Sequence, residues 1–299
     1  MDTELRLRVL APAKVNLALF LGPTRADGRH QLVTVFQSLS LSDQLDVTAL
    51  DTSVDEVSCQ PLVEGENIVV RAIEALRAHG WDGPGLRIAI SKRIPVAAGM
   101  AGGSADAAAA LRAAMAILPG RPEELDAIAA ELGADVPGQL LPGTALGVGA
   151  GEVVEHFEPL AEHAYVVVPA PFALATPDVY READRLGLPR REDELRERYE
   201  RLAQVLKPGV RLPAGLLTND LQPASVSLCP WCAGALDAVR QSGADHVMVS
   251  GSGPTVVGIW WGAHAQQAAQ HAARALAGRY PRTVVARPVD AQYALPALT

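Results

Sequence analysis

The stretch Ile94–Ala108, IPVAAGMAGGSADAA, holds three glycines, six alanines, one serine and one aspartate. A backbone with so little side-chain bulk either turns tightly or lets something approach closely. Its flanks narrow the choice. Leu86, Ile88 and Ile90 alternate with polar or small residues, which predicts a strand, and Asp106–Leu118 is rich in helix formers. The glycines thus lie where a strand hands over to a helix. There, free backbone N–H groups and the helix dipole converge on an anion. Gly99, Gly102 and Gly103 lack the Cβ that would block close approach, and Ser104 can donate a hydroxyl or cap the helix. The spacing matches neither GxxxxGK[ST] nor GxGxxG, and GVGAG at Gly147–Gly151 is only a faint echo of the second. On spacing alone, a phosphate cradle and a tight turn stand level.

The rest of the pattern surrounds this loop with α+β structure. Leu5, Leu7 and Val9 alternate, and after APAK the alternation resumes at Val15, Leu17, Leu19 and Leu21, so Lys14 and Asn16 share one face of a strand. TRADGRHQL reads as a loop; Leu32–Leu41 and Gln44–Ala49 read as further strands, and Asn67–His79 as a helix. A second half begins with a buried strand at Ala164–Val168. A helix start with Thr176 as N-cap follows, then a charged helical segment to Leu206, a helix at Cys232–Gln241, a strand–GSGPT–strand unit, the helix His264–Ala277 and a last strand, Thr283–Ala286. These elements predict two α+β units, residues 1–158 and 159–299.

Several function classes are excluded by composition. The net charge of −8 and the lack of a basic patch argue against nucleic acid as a partner. The long uncharged runs are broken by glycine and proline, so no membrane span is expected, and the N-terminus lacks the apolar core of a signal peptide. Three cysteines give no disulfide framework. Cys229 and Cys232 form CPWC, read here as two cysteines at a helix start, because no histidine pair completes a metal site. A cytoplasmic location is expected.

The glycine-rich stretch resembles the ATP-binding motif of the GHMP kinases. APAKVNLAL, RADGRHQL, LGADVP, TNDLQPA and VSGSGPTVVG resemble further segments of one branch of that superfamily, in the same order, so the likeness spans residues 11 to 258. It implies an N-terminal domain like ribosomal protein S5 domain 2 and a ferredoxin-like C-terminal domain, with the site in the cleft between them. It also implies ATP-dependent phosphorylation of a hydroxyl on a cytidine-diphosphate sugar alcohol, on the non-mevalonate route to isoprenoid precursors. Magnesium is expected with ATP, its protein ligands unknown. The assembly expected is a monomer or weak homodimer.

By resemblance, Asp135 in LGADVP is the catalytic aspartate and Lys14 its partner. The ammonium stabilises the ionised carboxylate, which can then orient the acceptor hydroxyl and take its proton. Read without the family, Asp135 could merely cap the next turn and Lys14 could be an exposed strand lysine. Pro95, Val96, Ala97, Ala98, Gly99, Met100, Ala101, Gly102, Gly103 and Ser104 would hold ATP. Asn16, His30, Asp135, Tyr180, Gly251, Ser252 and Gly253 would meet the acceptor or its phosphates. Within that set, His30 would hydrogen-bond cytosine and Tyr180 would stack on it. The family writes GLGGGSSDAA where this chain has GMAGGSADAA. Ala101 for glycine implies that the position does not need a positive φ. Ala105 for serine removes a hydroxyl, and Arg29 stands where an aromatic is common. Another kinase of the superfamily, or a non-catalytic nucleotide sensor on the same fold, would share most of these features; retention of Lys14 and Asp135 speaks against the sensor.

Overall fold

The computed structural model describes residues 5–62, 65–96, 98–120 and 122–299. Its first half is β1 (Arg6–Thr24), β2 (His30–Leu50), β3 (Glu56–Gln60), α1 (Ile68–Ala78), β4 (Gly85–Ser91), α2 (Gly102–Ile117), α3 (Pro122–Leu132), α4 (Val136–Leu140), β5 (Thr144–Gly149) and β6 (Val153–Phe157). The second half is β7 (His163–Val168), α5 (Thr176–Arg185), α6 (Glu192–Val205), α7 (Gln222–Leu228), α8 (Trp231–Gln241), β8 (His246–Val249), β9 (Val256–Trp261), α9 (Ala265–Leu276), β10 (Val284–Ala286) and β11 (Ala297–Leu298). The expected α+β class holds.

Two antiparallel strands of unusual length organise the first sheet. β1 and β2 form one hairpin whose turn, Arg25–Arg29, uses Gly28 at φ +80. Leu32–Leu41 and Gln44–Ala49, expected as two strands, are one. β2 bends, its early part pairing with β5 and its late part with β4. Register shifts fall between Pro12 and Lys14 and between Asn16 and Ala18, and such bulges re-aim side chains locally. The sheet runs β11-β1-β2-β4-β3, with β5 and β6 continuing from the early part of β2. The tail, assigned above to the second unit, therefore ends in the first sheet, where Leu7 pairs with Leu298. The second sheet, β10-β7-β9-β8, is wholly antiparallel.

The alternation of β7 divides its side chains between two cores. Ala164, Val166 and Val168 pack with Ala235, Val239, Ala269 and Ala272 of α8 and α9. Tyr165 and Val167 join Ala13, Val15 and Leu17 of β1 and Leu195 and Leu202 of α6. The two sheets thus share one apolar interior. On the far side of the first sheet, Leu7, Val9 and Ala11 meet α1 and α2. From Ala105 to Ala114 every residue of α2 but Arg112 is buried, and most of that stretch is alanine: Ala105, Ala107–Ala110, Ala113 and Ala114. Small side chains let neighbouring backbones close on the helix from several directions. Cys229 and Cys232 are buried free thiols at the α7–α8 junction. Among the described residues, no helix is long and apolar enough to cross a membrane.

Two helix starts differ from expectation. α2 begins four residues early, at Gly102, and its N-cap is Ala101 in the left-handed region, φ +53 and ψ +35, with no side chain capping it. The glycine-to-alanine departure does not remove the need for a positive φ; alanine takes the strained conformation itself. Thr176 is the first residue of α5, after the N-cap Ala175, because its hydroxyl is committed to Ser252 Oγ at 2.9 Å. Ala101→Gly should therefore stabilise the protein by about 0.5–1 kcal/mol, the relief of strain exceeding the extra entropy of an unfolded glycine. Urea denaturation would read this as a higher midpoint at unchanged slope.

Candidate active site

A cavity of about 940 Å³ runs from the entry of α2 past β1 and β2 to α5. Its centre is built by the bulged part of β1. Lys14 Nζ donates to Asn16 Oδ1 at 2.9 Å, Asn16 Nδ2 to Thr34 Oγ1 at 2.7 Å, and Thr34 Oγ1 to the Ala18 carbonyl at 2.7 Å. Lys14, Asn16 and Thr34 are all buried, which fixes the direction of this relay. The Phe36 ring lies 5.2 Å from Lys14 Nζ, a cation–π distance. That ring fits because Gly147 has no side chain; a Cβ there would lie 2.6 Å from it.

Asp135 holds the N-cap position of α4, yet its side chain makes no capping bond. Its Oδ1 lies 3.4 Å from Lys14 Nζ, and its side chain is 39% exposed against 9% for Lys14. A nearly buried cation thus faces a carboxylate that reaches open space. The reading of Asp135 as a simple cap does not survive this geometry.

Of the ten residues expected at ATP, Pro95, Val96, Ala98, Gly99, Met100, Ala101, Gly102, Gly103 and Ser104 line the cavity, and Ala97 lies outside the described residues. Ala98 and Met100 are buried, and the Met100 carbonyl accepts from Lys14 N at 3.1 Å, which ties the loop to β1. The glycines differ in what they make room for. A Cβ on Gly99 would lie 2.4 Å from the Ser250 carbonyl and 2.9 Å from that of Gly253; its φ is +73. Gly99 is therefore small because the second glycine loop packs on it, not because a ligand must approach. A Cβ on Gly102 would press on Ile94 at 3.1 Å, whereas at Gly103 it meets only Ile68 at 3.5 Å. The first turn of α2, uncapped by any side chain, opens into the cavity at Ala101–Ser104.

Gly251 and Ser252 line the cavity as expected. Gly253 does not; it packs behind, where a Cβ would meet Val249 at 2.8 Å. A Cβ on Gly251 would lie 3.1 Å from Asn16 Oδ1, so the loop closes directly over the Lys14–Asn16 pair. Asn219 holds it there, donating to the carbonyls of Val249 at 2.8 Å and Gly251 at 2.7 Å. At the other end His30, buried, stands beside Tyr180 with ring centroids 5.3 Å apart. Burial, with a smaller push from the charge of Asp135, raises the Tyr180 hydroxyl above its ordinary range, so it stays a donor.

Residues that composition and spacing did not single out complete the site. Lys92 Nζ lies 2.5 Å from Asp43 Oδ2 and 2.6 Å from Asp106 Oδ2, directly beneath the entry of α2. Asp43 also accepts from the backbone N–H groups of Arg93 and Ile94, which fixes the start of the loop. Two carboxylates share one ammonium in a buried place. Burial first, and the Asp43 charge next, push the Asp106 carboxyl up to about 7 against the pull of Lys92. Thr34, Phe36, Asn219 and Asp184 are further additions. Asp184 had a signal in the chain: it follows Thr176 and Tyr180 at intervals of four, one face of a helix.

Against this geometry, the comparisons with known proteins define a class. The GHMP kinases N terminal domain matches residues 67–143 and the GHMP kinases C terminal domain residues 193–279. The chain belongs to the GHMP kinases, which use ATP as phosphate donor. Within that class, a protein of Salinispora arenicola that is 43% identical, over 84% of this chain and 82% of its own, is a 4-diphosphocytidyl-2-C-methyl-D-erythritol kinase. So is one of Corynebacterium efficiens, 42% identical over 84% of both chains. A crystal structure of 4-(cytidine 5'-diphospho)-2C-methyl-D-erythritol kinase superposes with a TM-score of 0.75 at 33% identity, covering 94% of this chain and 98% of its own. A homoserine kinase from Cytophaga hutchinsonii, 19% identical with a TM-score of 0.71, shares the fold.

The carboxylate pair yields a pH test. Asp106 titrates near 3.9 when unfolded and about 7 when folded. The stability linked to its protonated form is complete below about pH 4 and is lost as pH rises through about 7. Asp106→Asn has no such loss. Its melting temperature should rise relative to the parent by at least about 2 °C between pH 5 and pH 8, measured by calorimetry.

Proposed function

We propose that this chain transfers the γ-phosphoryl group of ATP to the C2 hydroxyl of 4-diphosphocytidyl-2-C-methyl-D-erythritol, in the non-mevalonate route to isoprenoid precursors. The observation that carries the reading is the Lys14–Asp135 pair, 3.4 Å apart, midway along a cavity with an uncapped helix start at one end and His30 and Tyr180 at the other. The first end suits a triphosphate, because the opening N–H groups of α2 and its dipole favour negative charge. The second suits a pyrimidine, because an aromatic ring recovers by stacking what the base loses on leaving water. The acceptor hydroxyl then falls between them.

Asp135 accepts a hydrogen bond from that hydroxyl, aims its oxygen at the γ-phosphorus and takes the proton as the new bond forms. Lys14, held by Asn16 and by the ring of Phe36, pairs with the carboxylate and balances charge on the phosphoryl oxygens in transit. The second glycine loop limits water over the pair. Mg2+ would neutralise the phosphates when bound. Hard oxygens in the wall include the Ser104 hydroxyl and the carboxylates of Glu66, Asp106, Asp135 and Asp184. Among the described residues no cluster of three His, Cys, Asp or Glu could chelate a metal. That dispersed donor set suits an ion that keeps phosphate and water ligands.

Asp135→Asn should lower kcat by at least about a hundredfold while ATP still binds. ADP release on the cytidine substrate, with mevalonate, homoserine and galactose as controls, reads the first; calorimetric titration with ATP reads the second. Equal turnover by the variant would remove Asp135 from the mechanism, and turnover of a control alone would point to another kinase of the superfamily.

A further inference from the structure

His30 sits in the cavity wall with one ring nitrogen already engaged. Its Nε2 lies 2.7 Å from Asp184 Oδ1 and 3.3 Å from Thr24 Oγ1. The Asp184 side chain is 49% exposed, and a carboxylate can only accept. Nε2 therefore carries the hydrogen. In a neutral imidazole the other nitrogen, Nδ1, is then an acceptor with no hydrogen of its own. His30 lines the cavity beside Tyr180, and Nδ1 is the polar ring atom it still has to offer. Tyr180 and Asp184 are four residues apart on α5, so the helix that supplies the ring also supplies the carboxylate.

We propose that Asp184 is a positioning residue that sets base selectivity: by fixing the hydrogen on His30 Nε2, it leaves Nδ1 to accept from the exocyclic amino group of a cytosine and to turn away the carbonyl of a uracil. This rests on the reading of the cavity as a cytidine-diphosphate site. The two bases present nearly the same shape and stacking face, and differ in a donor against an acceptor at C4 and in the reverse at N3. Shape alone separates them poorly. A lone pair facing a carbonyl leaves two acceptors unpaired, and buried mismatches of this kind discriminate strongly. His30 by itself cannot supply the distinction, because an unrestrained imidazole can move its hydrogen to the other nitrogen and donate to the carbonyl.

The test compares the cytidine- and uridine-diphospho forms of the same methylerythritol substrate in the full chain, with Asp184→Ala and Asp184→Asn. The position of the His30 hydrogen is read by nitrogen NMR, assigned by difference from His30→Asn. The parent should show a hydrogen on Nε2 and a bare Nδ1. Asp184→Ala should lower the preference for cytidine over uridine in kcat/KM by about tenfold or more, mainly through KM, with Asp184→Asn between the two. A loss of stability alone would lower both substrates together and leave the ratio where it was. An unchanged ratio in Asp184→Ala, or a hydrogen on Nδ1 in the parent, would overturn the role of Asp184 and leave the kinase reading standing. A parent that phosphorylates neither compound would remove that reading, and this one with it.

Discussion

The site depends on a contact between two stretches of bare backbone. Gly99 lies so close to the Ser250–Gly253 turn that even a methyl group on it would collide with two carbonyl oxygens. Ser250 Oγ donates to the Gly99 carbonyl at 3.2 Å across the same seam. One partner comes from the link between β4 and α2, the other from the link between β8 and β9. Their meeting brings the loop from the second sheet over the Lys14–Asn16 pair of the first. Asn219 restrains the turn from behind, and Asp43 restrains the start of the first loop from below. Sparse bulk here is the means by which distant segments of chain form one wall.

The two ends of the cavity are held differently. The α2 end is braced by buried charge, an alanine-packed helix and backbone hydrogen bonds, so its N–H groups have little freedom to shift. The α5 end is held by side chains at a half-exposed surface: His30 with Asp184, Tyr180 beside them, and Thr176 tied to Ser252. A rigid end suits groups common to every ATP-using relative, whereas an end assembled from single side chains can differ among kinases whose acceptors differ.

Much of this was legible in the chain. Alternation put Lys14 and Asn16 on one strand face, and the glycines announced a strand-to-helix junction. The recurrence of four on Thr176, Tyr180 and Asp184 was present but is also what any helix surface shows. What could not be read were meetings across long separations. Asp43 and Lys92 are 49 residues apart and His30 and Asp184 are 154 apart, and nothing local distinguishes Asp43, Lys92 or Asp184 from a surface charge. The conformation of Ala101 was misjudged because residue type reports what a position prefers, whereas the packed loop dictates what it must adopt. Gly253 was misjudged for a related reason: a glycine in a motif can serve the fold behind a site as readily as the site itself.

The helix that points at the cavity carries no side-chain cap. Most helices satisfy part of their first turn with a serine, threonine or aspartate from their own chain; this one begins with an alanine and keeps those amides in reserve. An anion that settles there finishes a secondary-structure element as well as filling a hole. Occupancy and rigidity are then linked quantities, so an inert phosphate analogue should slow amide exchange along α2 even where it touches nothing beyond the opening turn.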